Sequence, residues 1–160
     1  MKKSGSKGSK TKVVGVDTAG NINEAKKLFY QGRKEFREAK KAEDFNSAAQ
    51  KFSDAISKAS EMHEAYQHRG RCYMALGHYQ RAILDFSMAY KFDSGNAEHF
   101  NYAGQCHLEL GQLEEALHHF KHAIDLNPLE GRYYYNRAHV KSRLERYHEA
   151  IEDYRKAQEH

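Results

Sequence analysis

The amino-acid sequence predicts an all-α solenoid of about four helix–turn–helix units stacked in a row. Three observations predict it. The first is self-similarity at a fixed period of 34 residues. The second is that apolar and small residues inside each period recur at helical spacing, with no strand-like alternation. The third is composition. The 160 residues are 39% hydrophobic and 30% charged, with a single proline, Pro128, so little interrupts long amphipathic helices.

The period is visible as columns. Tyr66, Phe100 and Tyr134 form an aromatic column, and Gly70, Gly104 and Ala138 a small-residue column. Leu76, Leu110 and Leu144 follow, then Tyr79, Leu113 and Tyr147. Ala82, Ala116 and Ala150 come next, then Phe86, Phe120 and Tyr154, and Ala89, Ala123 and Ala157 close the series. Small residues let two helices approach closely, and the aromatics fill the space beside them.

Residues 1–21 come first. Lys2, Lys3, Lys7, Lys10 and Lys12 all precede the first acid, Asp17, among Ser and Gly. Such a segment cannot bury enough apolar surface to offset its ordering entropy, so a basic disordered tail is expected. It reads either as a solubilising tail or as an arm for an acidic surface. The formal charge of +4, less those five lysines, leaves −1 for residues 17–160. A near-neutral body and a tail without interleaved aromatics both argue against nucleic acid as a partner.

The repeat domain is expected over 22–160, with units at about 23–62, 63–96, 97–130 and 131–160. In the first unit Phe45, Ala48, Phe52 and Ala55 match the second-helix columns, and Gly32 and Phe36 match the first helix. Phe36 and Phe45 stand four residues too far apart, which is one helical turn. The stretch between them is rich in helix formers, so the first helix is read as elongated, about 23–41, protruding one turn past its partner. An ordinary insertion at the corner is the alternative. The second and third units turn at Gly77 and Gly111, and Asp93–Asn96 and Asn127-Pro128 end their second helices. In the fourth unit no residues follow to cover Tyr147, Ile151 and Tyr154. The expectation is that missing chain, a partner or a second copy covers them.

The chain resembles the tetratricopeptide repeat family. The resemblance is carried by Tyr66, Gly70, Tyr73, Gly77, Tyr79, Ala82, Phe86 and Ala89. Phe100, Gly104, Gly111, Ala116, Phe120, Ala123 and Pro128 repeat it. It implies a right-handed superhelix whose first helices line a concave groove, and a non-enzymatic scaffold for protein–protein interaction within a larger assembly. The alternative is an adaptor that binds an extended or acidic peptide segment in the groove. Family members that bind heat-shock chaperones hold a C-terminal carboxylate in a Lys/Asn/Arg clamp. Aligned on that clamp, this chain offers Phe29, Arg33, His68, Glu98 and Tyr102. One repeat later it offers Gln67, Arg71, Tyr102, Arg132 and Asn136. The clamp is absent.

Other classes fall away on the residues. No apolar run approaches the roughly 18 residues of a membrane span, so no membrane insertion is expected. The N-terminus carries no apolar stretch of a secretory signal. Cys72 and Cys106 are too few for a disulfide scaffold, which points to an intracellular, cytoplasmic protein. They fall in one column of adjacent layers, about 8–10 Å apart against the roughly 7 Å a disulfide allows, so two free packed thiols are expected. His118 and His122 share a helix face, with His119 beside them, and offer a weak metal site. Lacking the His-Glu-x-x-His order of a zinc hydrolase, they read as a solvated face. No phosphate loop or catalytic constellation occurs, so no catalytic residue, no metal centre and no cofactor is expected.

The candidate site is therefore the groove. Residues between the core columns of the first helices are expected to face it. These are Arg33 in the first unit, Gln67, His68 and Arg71 in the second, and Asn101, Tyr102 and Gln105 in the third. Arg132, Tyr135, Asn136 and His139 belong to the fourth. Amides, tyrosines and arginines suit an extended peptide, because they offer hydrogen bonds and stacking at low entropic cost.

Overall fold

The structure, a computed structural model, describes residues 18–160. The basic tail expected over 1–21 lies outside the described residues as far as position 17. From there the chain is eight helices and no strand among the described residues. They are α1 (Thr18–Glu38), α2 (Ala42–Lys58), α3 (His63–Ala75), α4 (Tyr79–Phe92), α5 (Ala97–Glu109), α6 (Leu113–Leu126), α7 (Gly131–Arg143) and α8 (Tyr147–Glu159). Odd and even helices pair as four antiparallel hairpins. Each even helix also packs on the next odd one, and successive odd helices touch more lightly along one face. None of the helices is long and apolar enough to cross a membrane.

Close approach inside each hairpin explains the small-residue column. A Cβ at Gly32 would lie 2.9 Å from the Phe52 ring, and one at Gly70 or Gly104 2.8 Å from Phe86 or Phe120. These three phenylalanines are at most 1% exposed. Ala138 fills the same place in the fourth unit. Its methyl occupies the room that the other rings use, and Tyr154 sits half-buried, edge-on to Tyr135 at 5.5 Å.

The second to fourth corners share one geometry. Gly77, Gly111 and Glu145 are left-handed, with φ of 74°, 73° and 60°. The following N–H groups of His78, Gln112 and Arg146 donate back to Tyr73, His107 and Lys141 carbonyls at 2.8, 2.9 and 2.9 Å. That is the Schellman closure, for which glycine is the usual residue. Glu145 adopts it at the cost of left-handed strain.

The first corner corrects the sequence reading. The expected helix over 23–41 spans Thr18–Glu38 instead. Its extra length lies at the N-terminal end, so Thr18–Asn21 belong to a helix and not to the tail. The four additional residues between Gly32 and Phe45 do not make a protruding turn. α1 runs on by one residue past Gly32 relative to its counterparts, and α2 has 17 residues where α4 and α6 have 14. No left-handed residue closes this corner. Instead Asp44 Oδ2 accepts from the Lys40 and Lys41 N–H groups at 2.9 and 3.1 Å, which caps α2.

Two buried ion pairs recur two units apart. Arg69 and Asp85 join α3 to α4 through bonds of 2.9 and 2.7 Å, and Arg137 and Asp153 join α7 to α8 through two of 2.7 Å. Bidentate geometry of this kind suits a guanidinium and a carboxylate. In the third unit Ala103 and His119 stand in these columns. Burial opposes ionisation at both aspartates. At Asp153 bonds from both Arg137 and Lys141 overcome it and hold the carboxyl below the usual range. At Asp85 burial outweighs the bonds from Arg69 and pushes the carboxyl up.

Candidate partner-binding groove

Along the face that the odd helices share, one residue of the expected set joins three units. Arg71 of α3 lies with its guanidinium 4.8 Å from the centre of the Phe36 ring on α1 and 5.5 Å from that of Tyr102 on α5. Cation–π contact with two rings holds it across three units. Neither Arg71 nor Arg33, which is exposed and 5.8 Å from the Phe29 ring, has a carboxylate at salt-bridge distance among the described residues. Further along, Gln105, Asn136 and His139 line a shallow depression of about 350 Å³ with Met74, Tyr79, Leu108 and Glu109.

The structure places other members of that set elsewhere. Asn101 is 0% exposed and belongs to the joint between the third and fourth units. Its Oδ1 accepts from Asn136 Nδ2 at 2.8 Å, and its Nδ2 donates to Glu98 at 3.3 Å. Glu98 also accepts from Arg132 at 2.6 Å and from Tyr133 at 2.7 Å. Arg132 is bound a second time by Glu130, so its charge is already neutralised. His68 sits in a box of Phe29, Phe36 and Phe52 at ring distances of 5.3 to 6.4 Å, where burial holds its imidazole below the usual range. Tyr102 stacks on Phe86 at 5.3 Å and is half-buried. Gln67 is half-buried too. Tyr135 is 57% exposed beside Tyr154, on the end face of the last hairpin together with Tyr147 and Ile151, which are 60% and 56% exposed. The physical reason is the stack itself. Columns one residue apart on an odd helix face the preceding and the following unit, so they are shared between joint and groove.

Neither cysteine is placed for chemistry. Cys72 and Cys106 are free, fully buried thiols, pushed up to about 12 by burial. His118 and His122 bring their Nε2 atoms to 3.1 Å, but no third ligand joins them among the described residues. His119 instead packs on His107 at 4.6 Å and on Phe100 at 6.0 Å. Sequence reasoning missed three constellations. These are the Arg–Asp pairs, Glu98 as a hub, and a group formed by His63, Asp93 and His99. The first could have been read from Arg and Asp recurring 16 residues apart in two units. In the last, burial holds the His99 imidazole below the usual range in spite of Asp93.

With this geometry, the chain matches two family models, both described as tetratricopeptide repeat, over residues 54–129 and 131–159. No curated protein sequence gives a match. Solved structures match closely in fold. The crystal structure of MamA aligns with a TM-score of 0.80 at 18% identity, over 88% of this chain and 80% of that one. The Arabidopsis OM64 TPR domain aligns at 0.71 and 21% identity, over 77% and 98%. The first TPR of Spaghetti (RPAP3), bound to the HSP90 peptide SRMEEVD, aligns at 0.71 and 17% identity, over 77% and 94%.

Proposed function

Since the chain belongs to the tetratricopeptide repeat family, a family of protein–protein interaction modules, we propose that it holds an extended acidic segment of a partner protein in its concave groove. The observation that carries this is Arg71, an unneutralised guanidinium fixed between Phe36 and Tyr102. An arginine already oriented loses little entropy on meeting a carboxylate, and hydrogen bonds to charged groups contribute about 1.5–3 kcal/mol. Arg33 adds long-range attraction for the same charge. Gln105 and His139 offer polar contacts to the backbone of such a segment. The RPAP3 neighbour was solved with a peptide carrying two Glu and one Asp, which agrees with an acidic ligand for a groove of this shape. The clamp residues differ here, so the ligand is expected to be internal and not a chain terminus.

Selection from a random heptapeptide display library tests the reading. Enrichment of Asp and Glu is expected, with affinity falling as salt rises. Arg71→Gln should weaken the selected peptides by about 10-fold or more. Selection of uncharged peptides, or equal binding by Arg71→Gln, would overturn it. The scaffold reading draws its own support from the exposed end face of Tyr135, Tyr147 and Ile151. On that reading Tyr147→Ser with Ile151→Ser should abolish association measured by sedimentation and leave peptide affinity unchanged.

A further inference from the structure

Three metal-binding side chains converge at the joint between the second and third hairpins. His63 opens α3, Asp93 follows the end of α4, and His99 lies in the first turn of α5. His63 Nδ1 and His99 Nε2 each lie 3.5 Å from the same atom, Asp93 Oδ2. No two of the three donor atoms are more than 4.8 Å apart. Yet none of these approaches is a hydrogen bond. His63 Nδ1 and both ring nitrogens of His99 are buried without a hydrogen-bond partner, and His99 is 1% exposed. Buried imidazole nitrogens nearly always find a partner. Two rings that miss one while aimed at a single carboxylate oxygen frame a gap for a cation.

The dimensions fit. Zinc bound to nitrogen and oxygen at about 2.0–2.2 Å in tetrahedral geometry sets its ligands roughly 3.4 Å from one another. Two edges of the triad already measure 3.5 Å. The third closes by a movement of about 1.4 Å at most, within reach of a ring rotation. His63 Nε2, on the far side of its ring, is 3.5 Å from Glu64 Oε2, the kind of outer carboxylate that orients a metal-bound histidine. His63 and Asp93 side chains are each 32% exposed, so an ion can enter and a water can complete the shell.

The repeat shows that the fold does not require these residues. Ala97 and Gly131 occupy the column of His63, Ala59 and Asn127 that of Asp93, and Ala65 and Tyr133 that of His99. The set occurs at one joint only.

We propose that His63, Asp93 and His99 form a structural site for one divalent transition-metal ion of the zinc type, pinning the second hairpin to the third. Imidazole and carboxylate donors together suit this class. The ion ties α3, the end of α4 and α5 at a single point and so sets the angle between two of the helices that line the groove.

Metal-free protein, residues 1–160, titrated with Zn²⁺ alone by calorimetry tests this, with Co²⁺ absorption as the reporter of geometry. One equivalent should bind, with visible bands of a low-coordinate Co²⁺ site and a raised melting temperature. His63→Ala, His99→Ala and Asp93→Asn each install a residue already present in the same column of a neighbouring unit, so they should fold, as circular dichroism will show. Each should lower affinity by more than about 100-fold, the upper end of what losing even an outer partner costs. The double variant His118→Ala with His122→Ala should bind as the wild type does. The proposal is overturned if the wild type takes up no equivalent. It fails equally if folded His99→Ala and Asp93→Asn retain affinity, or if the His118/His122 variant loses it.

Discussion

Gly104→Ala isolates the contact on which each hairpin depends. The added Cβ would meet Phe120 Cε1 at 2.8 Å and Cδ1 and Cζ at 3.0 Å. Comfortable carbon contacts lie at about 3.5–4.0 Å, so the ring must retreat by most of an ångström. It has nowhere to go. Phe120 is 0% exposed and clusters with Ala116 and with Val140 of the next unit. Overpacking of this kind costs about 1–3 kcal/mol. Replacing a mid-helix glycine returns about 0.5–1 kcal/mol. A net loss of up to about 2.5 kcal/mol remains, with about 1 kcal/mol at the centre of the range, which is a fall of roughly 2–4 °C in a chain of this size. Thermal and urea denaturation would measure it. Phe120→Leu in the same background should relieve the clash, so the double variant should be more stable than the two single losses predict, by about 1 kcal/mol or more. A rise in Tm for Gly104→Ala, or strictly additive losses, would refute the packing argument and leave helix propensity in charge.

Four further outcomes are expected. Asp153, whose folded pKa is lowered, contributes stability that is present above the ordinary carboxylate pKa of about 4 and is lost as pH falls through the lowered value. Asp153→Asn should therefore cost about 3–5 kcal/mol at pH 7 and progressively less in acid. Asp85, whose pKa is raised, has the opposite sign, so Asp85→Asn should cost less at pH 7; equal losses in urea titrations at pH 7 would contradict the assignment. Glu145→Gly should relieve the left-handed strain at φ 60° and raise stability by about 1 kcal/mol in urea melts. Asn101→Ala should cost about 1–3 kcal/mol by stranding Asn136 yet leave peptide affinity intact, the reverse of Arg71→Gln.

The contrast between Asn101 and Arg71 shows where reading a sequence succeeds and where it stops. Period and columns specify the hairpins, because a Gly facing a Phe is a requirement that recurs unchanged at Gly32, Gly70 and Gly104. They do not specify which of two adjacent polar residues faces the groove. Helical neighbours differ by about 100°, and the boundary between groove and joint falls inside that angle. Hence the sequence groups Asn101 and His68 with Arg71, although one is buried in an amide network and the other in an aromatic box. The start of α1 was illegible for another reason. Thr18–Asn21 share the polar composition of the tail, and only continuation of a helix already nucleated downstream orders them. His63, Asp93 and His99 were invisible because 30 and 6 residues separate them, and no local motif links positions that meet only when two units stack.

Stacked repeats also supply their own control, because each column is tested in several surroundings at once. Where every unit keeps a residue type, the fold requires it. Where one unit departs, the departure has a local cause. The third unit is one such case. It lacks the Arg–Asp pair that locks the second and fourth hairpins, carrying Ala103 and His119 instead. Polar groups meet at its two joints: His63, Asp93 and His99 on one side, where the proposed ion would tie them, and the hydrogen-bonded set of Glu98, Asn101, Arg132, Tyr133 and Asn136 on the other. The difference matters physically. Apolar surfaces attract without direction, so two helical layers joined by them alone can slide or rotate at little cost. Hydrogen bonds and metal ligands tolerate only narrow angles, so they fix one arrangement of neighbouring units. Arg71 reaches across the first of these joints to the Tyr102 ring. The rigidity that orients the Arg71 guanidinium is thus set at the joints, by residues outside the face on which a partner segment is proposed to lie.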